Sequence, residues 1–213
     1  MATYKLMYFN GRGLAELSRY IFEVAGQPYE DFRWEEKDWP AYKHNTPFGQ
    51  CPVLELNESG DVYQVSQSKS IARFLANRFN LAGASAAEKA KADMVVDQLS
   101  DLYYYYGQAN YRQTSEEARK KEVEKFVNEK MPVYYGSLEA WLARSGTAFF
   151  AGDEMTFADF DVALAVDRDF GSVTGSERDN LEWNYPLVKL VCDRVNRLPA
   201  IAAWRAKRPE TWF

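Results

Sequence analysis

The residue pattern changes character near position 80, and this change constrains the fold more than any other feature. Before it, short strand-like runs alternate with helical ones; from about Ala86 onward only long helical periodicity remains. Residues 4–9 form an aromatic and apolar run suited to a strand. Leu14, Leu17, Ile21 and Val24 then follow the helical period, which Gly26 stops and Pro28 keeps from resuming. Residues 29–33 read as a second strand. Residues 53–56 and 62–65 flank Asn57-Glu58-Ser59-Gly60-Asp61, the turn chemistry of a hairpin. Ile71, Phe74, Leu75 and Phe79 mark a helix that begins near Ser66-Gln67-Ser68.

The expectation is a βαβ-ββα unit over residues 1–79, a small polar linker at 80–85 and an all-helical domain over 86–213. Helical stretches are expected at 87–106, 115–142, 157–167 and 186–195. Thr156 and Asp159 have the spacing of a capping box, flanked by Met155 and Phe160 as a hydrophobic staple.

Composition removes several classes of function. The net charge of −5 is dispersed and Lys and Arg form no long basic face, so nucleic acid is not an expected partner. No apolar run is long enough to span a membrane. His44 is the single histidine, and Cys51 and Cys192 are the two cysteines. That set supplies neither a His/Cys metal cluster nor a recognisable Cys–His nucleophile pair, and no metal is expected. Two distant cysteines, with no apolar leader after Met1, lead us to expect a reduced, cytoplasmic protein. Catalysis would then rest on hydroxyls, amides, carboxylates or a co-substrate.

Three segments carry more specific information: 4–13 (TYR-containing YKLMYFNGRG), 38–54 with Asp38-Trp39-Pro40 and Pro47-Phe48-Gly49-Gln50-Cys51-Pro52-Val53-Leu54, and 66–75 (SQSKSIARFL). In this order and spacing, followed by a helical half, they resemble the cytosolic glutathione transferases, and within them the sigma class. The resemblance implies an α/β plus all-α architecture: a thioredoxin-like N-terminal domain that binds glutathione as co-substrate, an all-helical C-terminal domain carrying the hydrophobic substrate pocket, and a homodimer.

The same resemblance assigns roles. Tyr8 is the implied catalytic residue, its hydroxyl donating to the glutathione sulfur and favouring the thiolate. Gln50, Cys51 and Pro52 match the element that pairs with the tripeptide backbone, with Pro52 cis. Gln67 and Ser68 open a helix whose first amides suit the γ-glutamyl carboxylate. Trp39 and Lys43 match positions at the glycyl end, and Asp101 matches a carboxylate that reaches the glutathione amino group across the dimer. Cys51 is expected to be an inert thiol. Asp97, Asp101, Tyr104 and Gln108 share one polar helix stripe. The run 103–106 of four tyrosines cannot all face one way, so one or two are expected in the substrate pocket. Phe9, Gly13, Tyr103, Tyr104 and Phe213 are the candidates for that pocket. Phe48 is a candidate interface aromatic or a core residue.

Two positions depart from the pattern. Prostaglandin D synthases of the sigma class carry an arginine where this chain has Leu14, so prostaglandin isomerisation ranks below conjugation. Their interfacial cation site uses three acids, aligned here with Asp97, Ser100 and Asp101, so one ligand is missing. The expected function is conjugation of glutathione to hydrophobic electrophiles in detoxification, with peroxide reduction as a side activity. The alternatives are a non-catalytic store for hydrophobic ligands and a structural protein like the lens S-crystallins.

Overall fold

The computed structural model describes residues 2–171 and 184–211, and Phe213 of the expected pocket lies outside them. The chain divides into two compact units, residues 1–81 with 197–213 and residues 82–196.

The first unit is built on a four-stranded sheet in the order β2-β1-β3-β4. β1 (Thr3–Phe9) runs parallel to β2 (Glu30–Trp34) and antiparallel to β3 (Val53–Glu58), which pairs antiparallel with β4 (Asp61–Ser66). Between β1 and β2 the chain passes through a short turn of 3-10 helix (Gly13–Ala15) and α1 (Glu16–Ala25). Gly26 ends α1 at φ 63, the left-handed conformation that glycine adopts without a Cβ penalty. The hairpin β3–β4 turns at Ser59 and Gly60, both with positive φ, as a two-residue turn of this twist requires.

Strand alternation gives the sheet two apolar faces. On one, Met7, Trp34 and Val53 form a buried cluster with Phe9, Phe32, Trp39 and Cys51 against it. On the other, Tyr4 meets Phe22 of α1, and α1 packs against α3 (Ser68–Arg78). α2 (Trp39–Tyr42) is a single short turn between β2 and β3.

The last helix, α9 (Pro199–Lys207), also belongs to this unit and packs on α1. The sequence division grouped residues 197–213 with the helical half. The tie is polar: Trp204 Nε1–H donates to Glu16 at 2.8 Å and Arg208 donates to the same carboxylate oxygen at 2.9 Å.

The second unit is helical: α4 (Ala86–Tyr111), α5 (Glu116–Lys125), α6 (Met131–Ser145), α7 (Phe157–Gly171) and α8 (Pro186–Asn196). The stretch expected as one helix over 115–142 is interrupted by a π-helical turn, Phe126–Lys130, and Pro132 stands at the start of α6. Proline has no N–H to offer the preceding turn, and the wider turn accommodates that loss. Ser85 and Ser115 cap α4 and α5, accepting from Glu88 and Ala118 amides. The first amides of α8 are held by the Glu139 carboxylate of α6, at 2.9 Å from both Leu187 N and Val188 N.

The capping box at Thr156 forms in altered detail. The Asp159 carboxylate accepts from the Thr156 amide at 2.7 Å, as the spacing implied, but the Thr156 hydroxyl donates to that carboxylate instead of accepting from an early helix amide. Asp159 also accepts from Phe150 N at 3.0 Å. With no exposed surface, this carboxyl has its pKa pushed up to about 6 by desolvation, which outweighs the stabilising amide hydrogen bonds.

Candidate active site

Tyr8 lies at the C-terminal end of β1, 7% exposed. Its hydroxyl oxygen accepts a hydrogen bond from the Leu14 backbone amide at 3.3 Å. Gly13, at φ +37, passes so close that a Cβ there would stand 2.6 Å from the Tyr8 oxygen. The residue expected to line a substrate pocket thus presses its bare backbone against the phenol, and any side chain would displace the hydroxyl.

The turn that brings Gly13 and Leu14 to Tyr8 is held from inside by Arg19. This side chain has no exposed surface; Nη1 donates to the carbonyls of Gly11 at 2.7 Å and Arg12 at 3.3 Å and to Glu16 at 3.0 Å, while Nε donates to Asp31 at 3.0 Å. Neither the Leu14 amide nor Arg19 was singled out from the sequence. The one available signal was an acid and a base three apart, Glu16 and Arg19, within a helix whose other residues are mostly apolar.

Several of the other expected residues come together in the same unit. Phe9 and Trp39 meet edge to face at 5.4 Å, and Trp39 also contacts Trp34 at 5.0 Å. The Lys43 stem lies over Gly49, where a Cβ would be 3.3 Å from Lys43 Cε. The Cys51–Pro52 peptide is cis. Cys51 is half-buried and its thiol pKa is pushed up to about 11 by desolvation, so it is not a ready thiolate.

Gln67 joins β4 to α3 with φ 74 and ψ 118, a backbone conformation unfavourable for a residue with a side chain. Its side-chain amide donates to Gln50 Oε1 at 3.0 Å and does not cap α3. Whereas Ser85, Ser115 and Glu139 satisfy early amides of their helices, the Gln67 side chain at the N-cap position of α3 does not. Beside them, the Ser66 hydroxyl is buried without a hydrogen-bond partner.

The remaining candidates lie in the helical unit. Asp97 and Asp101 are exposed on α4, and Ser100 turns its hydroxyl back to the Val96 carbonyl at 2.9 Å. Among the described residues, no group of three or more His, Cys, Asp or Glu could hold a metal ion. Tyr103 and Tyr104 face different surroundings: Tyr103 is half-buried under Arg168, whereas Tyr104 is 62% exposed.

Residues 100–208 match the family model described as the glutathione S-transferase C-terminal domain. The chain belongs to the glutathione S-transferase family. It is 38% identical over 213 residues to the hematopoietic prostaglandin D synthase of Gallus gallus, covering 99% of each chain. It is 36% identical over 226 residues to a probable glutathione S-transferase of Caenorhabditis elegans, covering 100% of each. Its fold matches the crystal structure of a C. elegans glutathione transferase with a TM-score of 0.86 at 33% identity, covering 100% of both chains. The rat hematopoietic prostaglandin D synthase, solved in complex with a quinoline, gives 0.84 at 33% identity, covering 99% of this chain and 100% of that one. Among the described residues no helix is long and apolar enough to cross a membrane.

Proposed function

We propose that this chain is a sigma-like glutathione transferase in which Tyr8 activates the glutathione thiol for attack on hydrophobic electrophiles. The observation that carries the reading is the environment of the Tyr8 hydroxyl. An amide N–H donated into the phenol oxygen polarises the O–H and makes it a better donor to sulfur. Lowering a thiol pKa from about 8.5 to roughly 6.5 raises the thiolate fraction at pH 7 from a few per cent to about three-quarters. A Brønsted slope of about 0.4–0.5 returns most of that gain, so the larger share of the rate comes from positioning the electrophile against sulfur.

In this reading the strained Gln67 and the uncapped amides at Ser68 take the γ-glutamyl carboxylate. Gln50 and the cis Cys51–Pro52 backbone pair with the tripeptide, and Trp39 and Lys43 hold its glycyl end. Asp101 completes the site from the partner subunit of a homodimer. Exposed apolar residues support such a partner: Phe48 at 68%, Met94 at 54% and Val133 at 65%. The thiolate forms a thioether with an electrophilic carbon and the leaving group departs. Detoxification in the cytoplasm, with peroxide reduction as a side activity, is the setting this chemistry suits. Leu14 offers no side-chain charge beside Tyr8, which ranks prostaglandin isomerisation below conjugation.

The test is conjugation of glutathione to 1-chloro-2,4-dinitrobenzene by the protein and its Tyr8→Phe variant, with glutathione binding measured for both. A loss of kcat/KM of at least tenfold with binding retained is expected. Binding without turnover in either protein would instead favour ligand storage or an S-crystallin-like structural role.

A further inference from the structure

The helical unit carries a hollow of its own, formed where the end of α6 and the loop after it meet α8. Its volume is about 280 Å³, and Leu142, Ala143, Ala148, Leu187, Leu190 and Val191 supply most of the lining. Leu190 is 43% exposed there, an apolar side chain left open to solvent beside a concave apolar surface. No acidic residue lines the hollow, and Arg194 is the charged group at its wall. The lining comes entirely from the helical unit.

Arg194 is held in place without being neutralised. Nη1 donates to the Ala148 carbonyl at 2.7 Å, and the guanidinium carbon lies 5.4 Å from the Phe149 ring centroid. Among the described residues Nε and Nη2 have no protein acceptor, and neither is a buried orphan, since the side chain is only half-buried. The neighbouring carboxylates have other partners: Asp193 accepts from Lys189 at 2.7 Å and Asp153 from the Ala148 amide at 3.4 Å. Nε and Nη2 form one edge of the guanidinium, the fork that takes a carboxylate in two parallel hydrogen bonds. Thr147, the other polar side chain of the lining, gives its hydroxyl proton to the Phe149 carbonyl at 2.8 Å.

One opposing influence is present, because the carbonyl end of α6 borders the hollow. A helix end carries about half a negative charge against the full positive charge of a guanidinium. The Leu142 carbonyl is in addition engaged by the Gly146 amide and the Ser145 hydroxyl, both at 3.1 Å. The balance favours an anion. Size restricts the rest of the ligand, since the volume lies just below the roughly 300–1,000 Å³ of sites for drug-sized molecules.

We propose that this hollow is a binding site for small carboxylates with a compact apolar body, in which Arg194 takes the carboxylate and the leucines and Val191 take the body. The site is independent of the transferase reading and of Tyr8.

The experiment is calorimetric titration of the full-length protein with a matched pair, 2-naphthoate and 2-naphthamide, which requires no turnover. The wild type is expected to bind the acid at least tenfold more tightly than the amide. Arg194→Gln should reduce that preference to threefold or less while leaving the amide affinity unchanged. Ala143→Phe, at an exposed position of the lining, places a ring in the hollow and should weaken both ligands at least tenfold. Equal binding of acid and amide by the wild type overturns the proposal, as does a preference that survives Arg194→Gln. Should Arg194→Gln fail to fold, Ala143→Phe decides: naphthoate bound as tightly as by the wild type would place the ligand elsewhere and overturn the site. Loss of conjugation in the Tyr8 experiment has no bearing on these titrations, so the two readings fail separately.

Discussion

The two units bury charge in opposite ways. In the sheet unit, Arg19 is enclosed, and its Nε and Nη1 reach two carboxylates and two backbone carbonyls. The set extends through Asp31 to Arg33, at 2.8 Å, and through Glu16 to Trp204 and Arg208. In the helical unit, Arg168 donates to Asp169 and lies over the rings of Tyr103 and Tyr106, while Asp159 is held by amides and a hydroxyl. Both arginines leave Nη2 without an acceptor. The difference is access: the Arg19 side chain is 0% exposed and that of Arg168 is 22%. In both the orphan donor is itself buried, so it is a cost of the arrangement, set inside a saturated network in one unit and beside a single ion pair in the other.

The sharpest way to break this comparison is to remove both cations. Arg19→Leu takes from the buried Glu16 carboxylate its donor at Oε2, leaves Asp31 without its Arg19 partner and frees the turn at Gly11 and Arg12, so a loss of about 3–5 kcal/mol is expected. Arg168→Gln keeps a donor toward Asp169 and should cost about 1–3 kcal/mol. Urea unfolding of the two variants measures both, and equal losses would erase the distinction drawn here. A folded Arg19→Leu protein should in addition show a raised pH midpoint for conjugation, because the Leu14 amide would no longer be fixed on Tyr8.

The second prediction concerns the carboxyl that lacks a cation. Asp159 has a folded pKa of about 6 against an ordinary 3.8, so between these values the folded protein binds more protons than the unfolded chain. Stability must then fall as pH rises from about 4 to about 6, by about 3 kcal/mol from this group, and level off above it. The contribution is isolated by subtracting the unfolding curve of Asp159→Asn, which is less stable overall but lacks the slope. Parallel curves for the two proteins through that window would mean that the amides hold Asp159 ionised throughout.

How much of this was legible in the sequence depends on how local the cause was. The hairpin was readable because Ser59-Gly60 supplies the positive φ that a tight turn demands, and α1 because its apolar period ends at Gly26. The break at 126–130 was not, since Val123, Phe126 and Val133 continue a helical pattern across it and only Pro132 hints at a fault. Helix α9 escaped because nine residues with four alanines carry little periodic signal; what fixes it is Trp204 reaching Glu16, 188 positions away. At the site, the residues at Tyr8, Gln50, Pro52 and Gln67 were visible as motifs. The strained backbone at Gln67, the bare approach of Gly13 and the amide of Leu14 were not, because each is a property of main chain that no residue name records. Arg168 was hidden for a different reason: its surroundings are assembled from α4 and α7, far apart in the chain.

The smallest expected effect tests whether the saturation around Arg19 extends to the C-terminal helix. Trp204→Phe keeps the ring that packs in the sheet unit and deletes the single N–H directed at Glu16 Oε1. Arg208 still donates to that oxygen at 2.9 Å, so the carboxylate is not abandoned and the loss should be about 1 kcal/mol. Combining Trp204→Phe with Arg208→Met removes both donors and should cost more than the sum of the singles, because only then is the buried Glu16 left to Arg19 alone. Strict additivity in that cycle would show that α9 rests on α1 by apolar packing, and that the network beside Tyr8 ends at Glu16.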